Sequence, residues 1–300
     1  MLKVALLCGG NSPEREVSLK GADAVKKALL ALGHQVIVFD PAKDLPLFAQ
    51  RAKEFEVAFL VLHGPGGEDG TIQGFLDSLG IPYQGAGVLG SALAMDKALS
   101  KILYRQAGLA TPKAVVAEKE KDIPALDFFP VVVKPVSQGS SVGITLVQDK
   151  KELFSALERA FSFEDQVLIE EYLEGVELTV GVLGDEALPV VEIRPGEGHL
   201  FFDYQAKYTP GATEEICPAQ IPETIAQEAQ RQALVAHKAL RLRHYSRTDF
   251  ILKGERLYVL ETNTIPGMTE TSLLPLAAKV AGYSFKDLVQ KLLELALATS

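Results

Sequence analysis

Short β-rich apolar runs alternate with longer amphipathic stretches along this chain. KVALL (Lys3–Leu7), QVIVF (Gln35–Phe39) and VAFLVL (Val57–Leu62) read as strands. Between the first two, Val17, Ala22, Val25, Ala28, Leu29 and Leu32 gather on one side of a predicted helix. Strand, helix and strand at this distance predict a parallel sheet covered by helices. That unit is expected to end near Gly85–Gly90. From Thr111 onward KAVVA, VVVKP and GITLV predict three more strands. A helix over Lys150–Ala160 and a strand at VLIEEYL (Val167–Leu173) complete a smaller α+β unit. ELTVGVL and LPVVEI then lead into a polar, Gly-rich and aromatic stretch, Gly196–Thr213, too long for an idle connection. Glu223–Leu240 reads as a long helix. Two strands joined at Lys253-Gly254-Glu255 follow, and then a C-terminal helix.

That last strand pair, RTDFILKGERLYVLETN, carries the most informative chemistry. Residues two apart on a strand share a face. Arg247 and Asp249 on one strand, with Glu261 and Asn263 on the other, therefore place one cation and three oxygen-bearing groups over one spot. Two carboxylates and an amide oxygen are hard ligands suited to Mg²⁺ shared with nucleotide phosphates. A neighbouring Arg can stabilise a developing negative oxygen. This pattern points to an enzyme that spends ATP.

Other candidates carry a plain reading beside a functional one. Gly9-Gly10-Asn11-Ser12-Pro13-Glu14 follows the first strand, and a tight βα turn explains its glycines. Glu14 lies where ligands collect in open α/β sheets, and it could hold a substrate ammonium. His63 opens HGPGGEDG, whose Glu68 and Asp69 read as turn residues before a helix at Thr71. Lys134 ends the apolar strand VVVKP, where a buried lysine needs a partner. The Ser137–Gly143 loop after it suits a phosphate-covering flap, or equally a Ser/Gly hairpin turn. Lys97, Glu170 and Glu177 read from the residues alone as surface groups. Asp203–Tyr208 places a Lys between tyrosines, either pinning the loop or closing over a site. Pro266–Leu273 ends in Ser272, a helix start able to meet a carboxylate or an oxyanion.

Composition narrows the classes. With 300 residues the chain can build two or three cores, and 47% apolar with 23% charged residues fits a globular protein. The net charge is −9 with no basic stripe, which disfavours nucleic acid. An anionic substrate must then be met by local cations. No run is long enough for a bilayer, and MLKVALLCGG is not a secretory leader. Cys8 and Cys217 lack metal or redox spacing, so a reducing cytoplasm is expected.

Together GGNSPEREVSL, HGPGGEDGTIQG, MDK, VVKPVSQGSSVG, YQAKY, SRTDF and ETNTIPGMTETSLLP closely resemble the D-alanine–D-alanine ligases of the ATP-grasp superfamily. The resemblance spans nearly the whole chain. It implies an α/β (α+β) three-domain ATP-grasp fold. The division is an N-terminal parallel-sheet substrate domain (1–90), a central ATP-grasp subdomain (91–174) and a C-terminal ATP-grasp and metal-binding domain (175–300). The implied reaction makes D-alanyl-D-alanine for peptidoglycan. ATP activates the first D-alanine as an acyl phosphate, and the amine of the second attacks it.

Residue by residue, the resemblance gives Glu14 the first substrate's ammonium, with His63 nearby. It makes Lys97 and Lys134 phosphate-binding lysines and puts Ser140 and Ser141 in the phosphate-covering loop. Glu170 and Glu177 face adenine and ribose. Lys207 meets the γ-phosphate, and Tyr208 links Glu14 to Ser140. Asp249, Glu261 and Asn263 become Mg²⁺ ligands, with Mn²⁺ a possible substitute. Arg247 and the Gly267 N–H stabilise the oxyanion, while Ser272 and Leu273 anchor the second substrate's carboxylate. A cytoplasmic homodimer without nucleic-acid or membrane partners is implied. Two places depart from many relatives, Pro65-Gly66 and the neighbourhood of Ser137-Gln138, which bears on loop mobility or ATP affinity. Tyr208, rather than Phe, matches relatives that make the dipeptide rather than the ester with D-lactate. The rival readings are an ATP-grasp ligase of other amino acids, which would differ near Glu14 and Ser272, and a nucleotide-sensing module without turnover.

Overall fold

The computed structural model describes residues 1–123, 125–139, 143–196 and 213–298, without the Pro195 side chain. Three sheets follow one another along the chain. The first is parallel, ordered β2-β1-β3, from β1 (Lys3–Cys8), β2 (Gln35–Phe39) and β3 (Val57–Val61). β3 is buried along its whole length and β1 at all but its first residue, which explains their unbroken apolar runs. One face is covered by α1 (Arg15–Ala31), which buries Ala22, Val25, Ala28 and Leu29 as the pattern predicts. The other face takes α2 (Leu45–Arg51) and α3 (Thr71–Leu79) through Phe48, Ile72 and Leu76.

The second sheet is antiparallel, ordered β4-β7-β5-β6, from β4 (Ala114–Glu118), β5 (Val131–Pro135), β6 (Thr145–Val147) and β7 (Gln166–Glu171). α6 (Lys150–Phe161) buries Leu153, Ala156, Leu157 and Ala160 against one face, and Asp149 caps it by accepting the Lys151 N–H. The third sheet runs β11-β10-β8-β12-β13, with β9 (Glu186–Ala187) paired to β8 (Val176–Leu183). Its other strands are β10 (Val191–Pro195), β11 (Thr213–Ile216), β12 (Tyr245–Lys253) and β13 (Arg256–Asn263). α7 (Glu223–Ala239) packs on Leu178, Val180 and Val182. On the opposite face α8 (Leu273–Val280) presses so close that a Cβ on Gly181 would lie 2.5 Å from Leu274. Only glycine allows this approach.

Several elements escaped the sequence reading. α2 is short and carries Pro46 as its second residue, and α4 (Val88–Met95) is apolar but for Ser91 and so shows no polar face. α4 lies against the end of α7, where a Cβ on Gly90 would fall 2.9 Å from the Arg241 carbonyl oxygen. α5 (Lys97–Gln106) is the helix expected at MDK, capped by Asp96. The two-residue β9 and the polar β11 carry too little apolar signal to be read. The expected single C-terminal helix is two, α8 and α9 (Phe285–Ala298), parted by a turn with Gly282 at φ 95°. Both cover the apolar cluster shared by α1, β1 and β3. Among the described residues no helix is long and apolar enough to cross a membrane.

His237 and His244 are buried, and burial lowers both to about 4 from an ordinary value of 6.5. Each is therefore neutral in the fold and takes up a proton more readily when unfolded. Their contribution to stability is intact above pH ~6.5 and is lost as pH falls through that value toward 4. The urea midpoint should decline from pH 6.5 toward 5, above the ordinary values of 3.8 and 4.5 from which the carboxylates held near 2 (Asp40, Glu54, Glu228) begin to cost stability. A midpoint flat from pH 6.5 to 5 would contradict it.

Candidate active site

The late hairpin is built as its sequence predicts. Arg247 pairs with Asn263 and Asp249 with Glu261, so all four side chains share a face. Arg247 donates both arms of its fork to Asp249, Nε to Oδ1 and Nη2 to Oδ2, at 3.0 Å each. Asn263 Nδ2 donates to Asp249 Oδ2 at 3.1 Å, and the Thr179 hydroxyl of β8 donates to Oδ1 at 2.5 Å. Burial works against the Arg247 charge, yet the facing acids Asp249, Glu261 and Glu68 outweigh it and raise its pKa. A register shift after Asp249 pairs Phe250 with Val259 and leaves Leu260 as an extra residue. Val259 thereby enters the α7 core while Leu260 and Glu261 both line the cleft, which simple alternation would not give.

That cleft lies between the second and third sheets. Its empty space, open mouth included, is about 770 Å³. Val132, Ile144, Leu173, Ile251 and Leu260 supply apolar wall, Glu177 and Tyr172 stand among them, and Lys134, Asp249 and Glu261 supply charge. Apolar walls beside Lys134 and five carboxylates, Glu170, Glu171, Glu177, Asp249 and Glu261, fit a nucleotide whose phosphates bring a divalent ion.

The residues that looked like surface groups are not on the surface. Lys97 is 7% exposed and Glu170 2% exposed, and Glu177 is half-buried. Their charges gave no sign of burial because the partners lie far away in sequence. Lys97 Nζ donates to the Gln138 carbonyl at 2.6 Å and stands 3.6 Å from Glu261 Oε2. Glu170 is held by two lysines, Lys134 on one oxygen and Lys101 on the other. Burial alone would raise Glu170, but Lys101 and Lys134 reverse this and lower it. For Lys134 burial opposes the charge, and Glu170 with Glu261 more than restores it. Lys101, 1% exposed and also donating to Thr111 Oγ1 at 2.8 Å, is brought down to about 8 by burial. The sequence reading missed Lys101. Its position four residues after Lys97, on the buried face of an amphipathic helix, was the available signal.

Glu14 is buried at the start of α1. Its Oε2 would lie 3.1 Å from a Cβ on Gly64 and 2.8 Å from one on Gly139, so glycines from two loops make room for the carboxylate. His63 is buried beside it, and among the described residues its Nε2 has no hydrogen-bond partner. Burial lowers the His63 pKa, opposed by Glu14 and aided by Arg247. Asp69 is the turn residue expected, accepting from Gly66 N and Thr71 N. Glu68 does more than the sequence reading allowed. It accepts from Gly64 N at 2.8 Å and also from Ile265 N at 3.3 Å, past the hairpin. Burial and the neighbouring Glu14 push it up to about 8.

Gly267 sits so near Ser272 that a Cβ would fall 2.9 Å from its Oγ. Ser272 precedes α8, and its Oγ accepts from Thr269 N at 3.1 Å; Leu273 is buried as the first residue of α8. Ser137 and Gln138 both donate to Glu164, which fixes the base of the loop that leads to Gly139. Ser140, Ser141, Lys207 and Tyr208 lie outside the described residues.

Two family models match this chain. The one described as D-ala D-ala ligase C-terminus covers residues 103–294, and the one described as D-ala D-ala ligase N-terminus covers residues 42–86. A D-alanine–D-alanine ligase of Syntrophobacter fumaroxidans is 53% identical over 99% of this chain and 98% of its own length. One of Desulfotalea psychrophila is 51% identical over 100% and 96%. Among solved structures, a D-alanine–D-alanine ligase from Bacillus anthracis complexed with ATP aligns with TM-score 0.89 at 34% identity, covering 100% of this chain and 98% of that one. The VanG D-Ala:D-Ser ligase from Enterococcus faecalis aligns with TM-score 0.83 at 33% identity, covering 98% and 99%.

Glu170→Gln should lower the unfolding free energy by about 3–5 kcal/mol without any ligand, because it strips a buried pair of lysines of their shared anion. Denaturant titration of the ligand-free variant measures this; wild-type stability would show that the cluster is not a structural element.

Proposed function

On the premise that this chain belongs to the D-alanine–D-alanine ligase family, and so joins two D-alanine molecules with ATP through an acyl phosphate for peptidoglycan precursor synthesis, we propose how its residues divide the work. The observation that carries this reading is the shared face of Arg247, Asp249, Glu261 and Asn263, from which Asp249 and Glu261 line the cleft. Glu14 takes the first D-alanine's ammonium, and His63 offers its unpartnered Nε2 beside it. Lys97, Lys134 and Lys207 bind the phosphates, with Ser140 and Ser141 covering them. Glu177 takes the ribose. Glu170 takes the adenine edge while remaining the anion that keeps Lys101 and Lys134 charged and in place. Tyr208 joins Glu14 to Ser140.

Asp249, Glu261 and Asn263 hold Mg²⁺, or Mn²⁺ in its stead. The ion, when bound, neutralises charge on the transferring phosphoryl group. Asp249 already shares its oxygens with Arg247, Asn263 and Thr179, so it arrives at this task fixed in orientation. Arg247, held flat by Asp249, and the Gly267 N–H neutralise the oxygen that gains charge when the second amine attacks. Ser272 and Leu273 receive the second carboxylate at the start of α8. The three sheets support a division into domains 1–90, 91–174 and 175–300, with the nucleotide gripped between the last two. The protein acts in the cytoplasm as a homodimer.

The deciding experiment is ADP release with D-alanine against L-alanine, with and without Mg²⁺. Release driven by D-alanine and dependent on the metal is expected; ATP binding without release would leave a nucleotide sensor. Arg247→Ala should reduce turnover by about 10²–10³-fold in a coupled phosphate-release assay, the usual cost of an oxyanion donor. Glu14→Gln should raise the KM for the first D-alanine and leave ATP affinity nearly unchanged. Equal loss of both would remove Glu14 from the ammonium site.

A further inference from the structure

Away from the reacting groups, three consecutive residues of one segment grip three of another. Arg243 Nε donates to the Gly85 carbonyl at 3.1 Å, and its guanidinium lies 5.1 Å over the Tyr83 ring. Gly85 N donates to His244 Nδ1 at 3.1 Å. Gln84 Nε2 reaches the Tyr245 hydroxyl at 3.3 Å. The same Gln84 amide pairs with β3 as a strand would, accepting from Leu60 N at 2.9 Å and donating to Leu60 O at 2.6 Å. Gly85, at φ 97°, lies against Tyr245, where a Cβ would approach Cε1 to 3.3 Å.

These contacts connect two halves of one substrate site. Leu60 stands three residues before His63 on the parallel sheet that also carries Glu14. Tyr245 opens β12 two residues before Arg247. His244 adopts a left-handed backbone at φ 66°, uncommon for a residue with a side chain. A strained residue held at such a junction is a reason to look for a task. His244 supplies an acceptor to Gly85 N that glycine, the residue best suited to this backbone, could not.

We propose that His244, with Gln84 and Tyr245, is a positioning residue that fixes the Glu14–His63 half of the first D-alanine site in register with Arg247. This rests on the assignment of Glu14, His63 and Arg247 to that substrate. None of the clasp residues, Tyr83, Gln84, Gly85, Arg243, His244 and Tyr245, lines the cleft between the second and third sheets, so the clasp sets the amino-acid site rather than the nucleotide cleft.

His244→Gly keeps the backbone geometry and deletes the acceptor. It should raise the KM for the first D-alanine about three- to tenfold, the worth of one lost buried hydrogen bond, with the KM for ATP unchanged. His244→Asn, whose side-chain oxygen can take the place of Nδ1 and which tolerates the left-handed region, should restore the wild-type value. Tyr245→Phe, which removes only the hydroxyl, should shift the D-alanine KM the same way by less. A wild-type D-alanine KM in His244→Gly, a parallel rise in the KM for ATP, or no difference between the Gly and Asn variants would overturn the proposal. Dipeptide formation by the wild-type enzyme, measured alongside, tests the underlying substrate assignment separately.

Discussion

The cleft depends on one constraint: charges taken out of water must be matched by charges of the other sign. Four cations, Lys97, Lys101, Lys134 and Arg247, meet three carboxylates, Glu170, Asp249 and Glu261, at the junction of the sheets. Removing Glu170 would leave Lys101 and Lys134 buried without their shared anion. Glu171 and Glu177 also line the cleft, in a chain of net charge −9, so each cation there is held by a specific acid. An anionic ligand at this junction would be met by a few fixed lysines rather than by the field of the whole protein.

The matching also explains why the site is prepared before a substrate arrives. Asp249 is oriented by Arg247, Asn263 and Thr179, and Glu170 by two lysines, so neither carboxylate is free to swing. Catalysis that works by positioning and charge neutralisation gains from groups already in place. Glycines serve the same end. Gly64 and Gly139 admit the Glu14 carboxylate, Gly181 admits α8, and Gly267 admits Ser272; at each, a Cβ would occupy space that a functional or packing contact needs.

The junction with the first sheet is made differently, by neutral hydrogen bonds and apolar packing. Tyr245 and Met268 belong to the same apolar cluster as Val25, Leu29 and Phe59, and Ile265 packs with Leu60 and Leu62. The segments that flank the catalytic hairpin are therefore part of the core of the sheet that carries Glu14 and His63. This continuity holds the Glu14–His63 side of the site against the cleft between the second and third sheets.

The sequence by itself determined the strands of the parallel sheet, helices α1, α6 and α7, and the shared face of Arg247, Asp249, Glu261 and Asn263. Each of these follows from local periodicity, which the backbone geometry of a helix or strand enforces. Its motifs, taken together, also carried the family and the reaction. Tertiary structure alone decided which charged residues are buried. Lys97, Glu170 and Lys101 have ordinary surroundings in sequence, and only the meeting of α5, β5, β7 and β13 takes them out of water. The bulge that presents both Leu260 and Glu261 to the cleft, the second role of Glu68, and the grip of His244 on Gly85 were equally invisible. Each depends on contacts between segments far apart along the chain, and no local pattern encodes a distant partner.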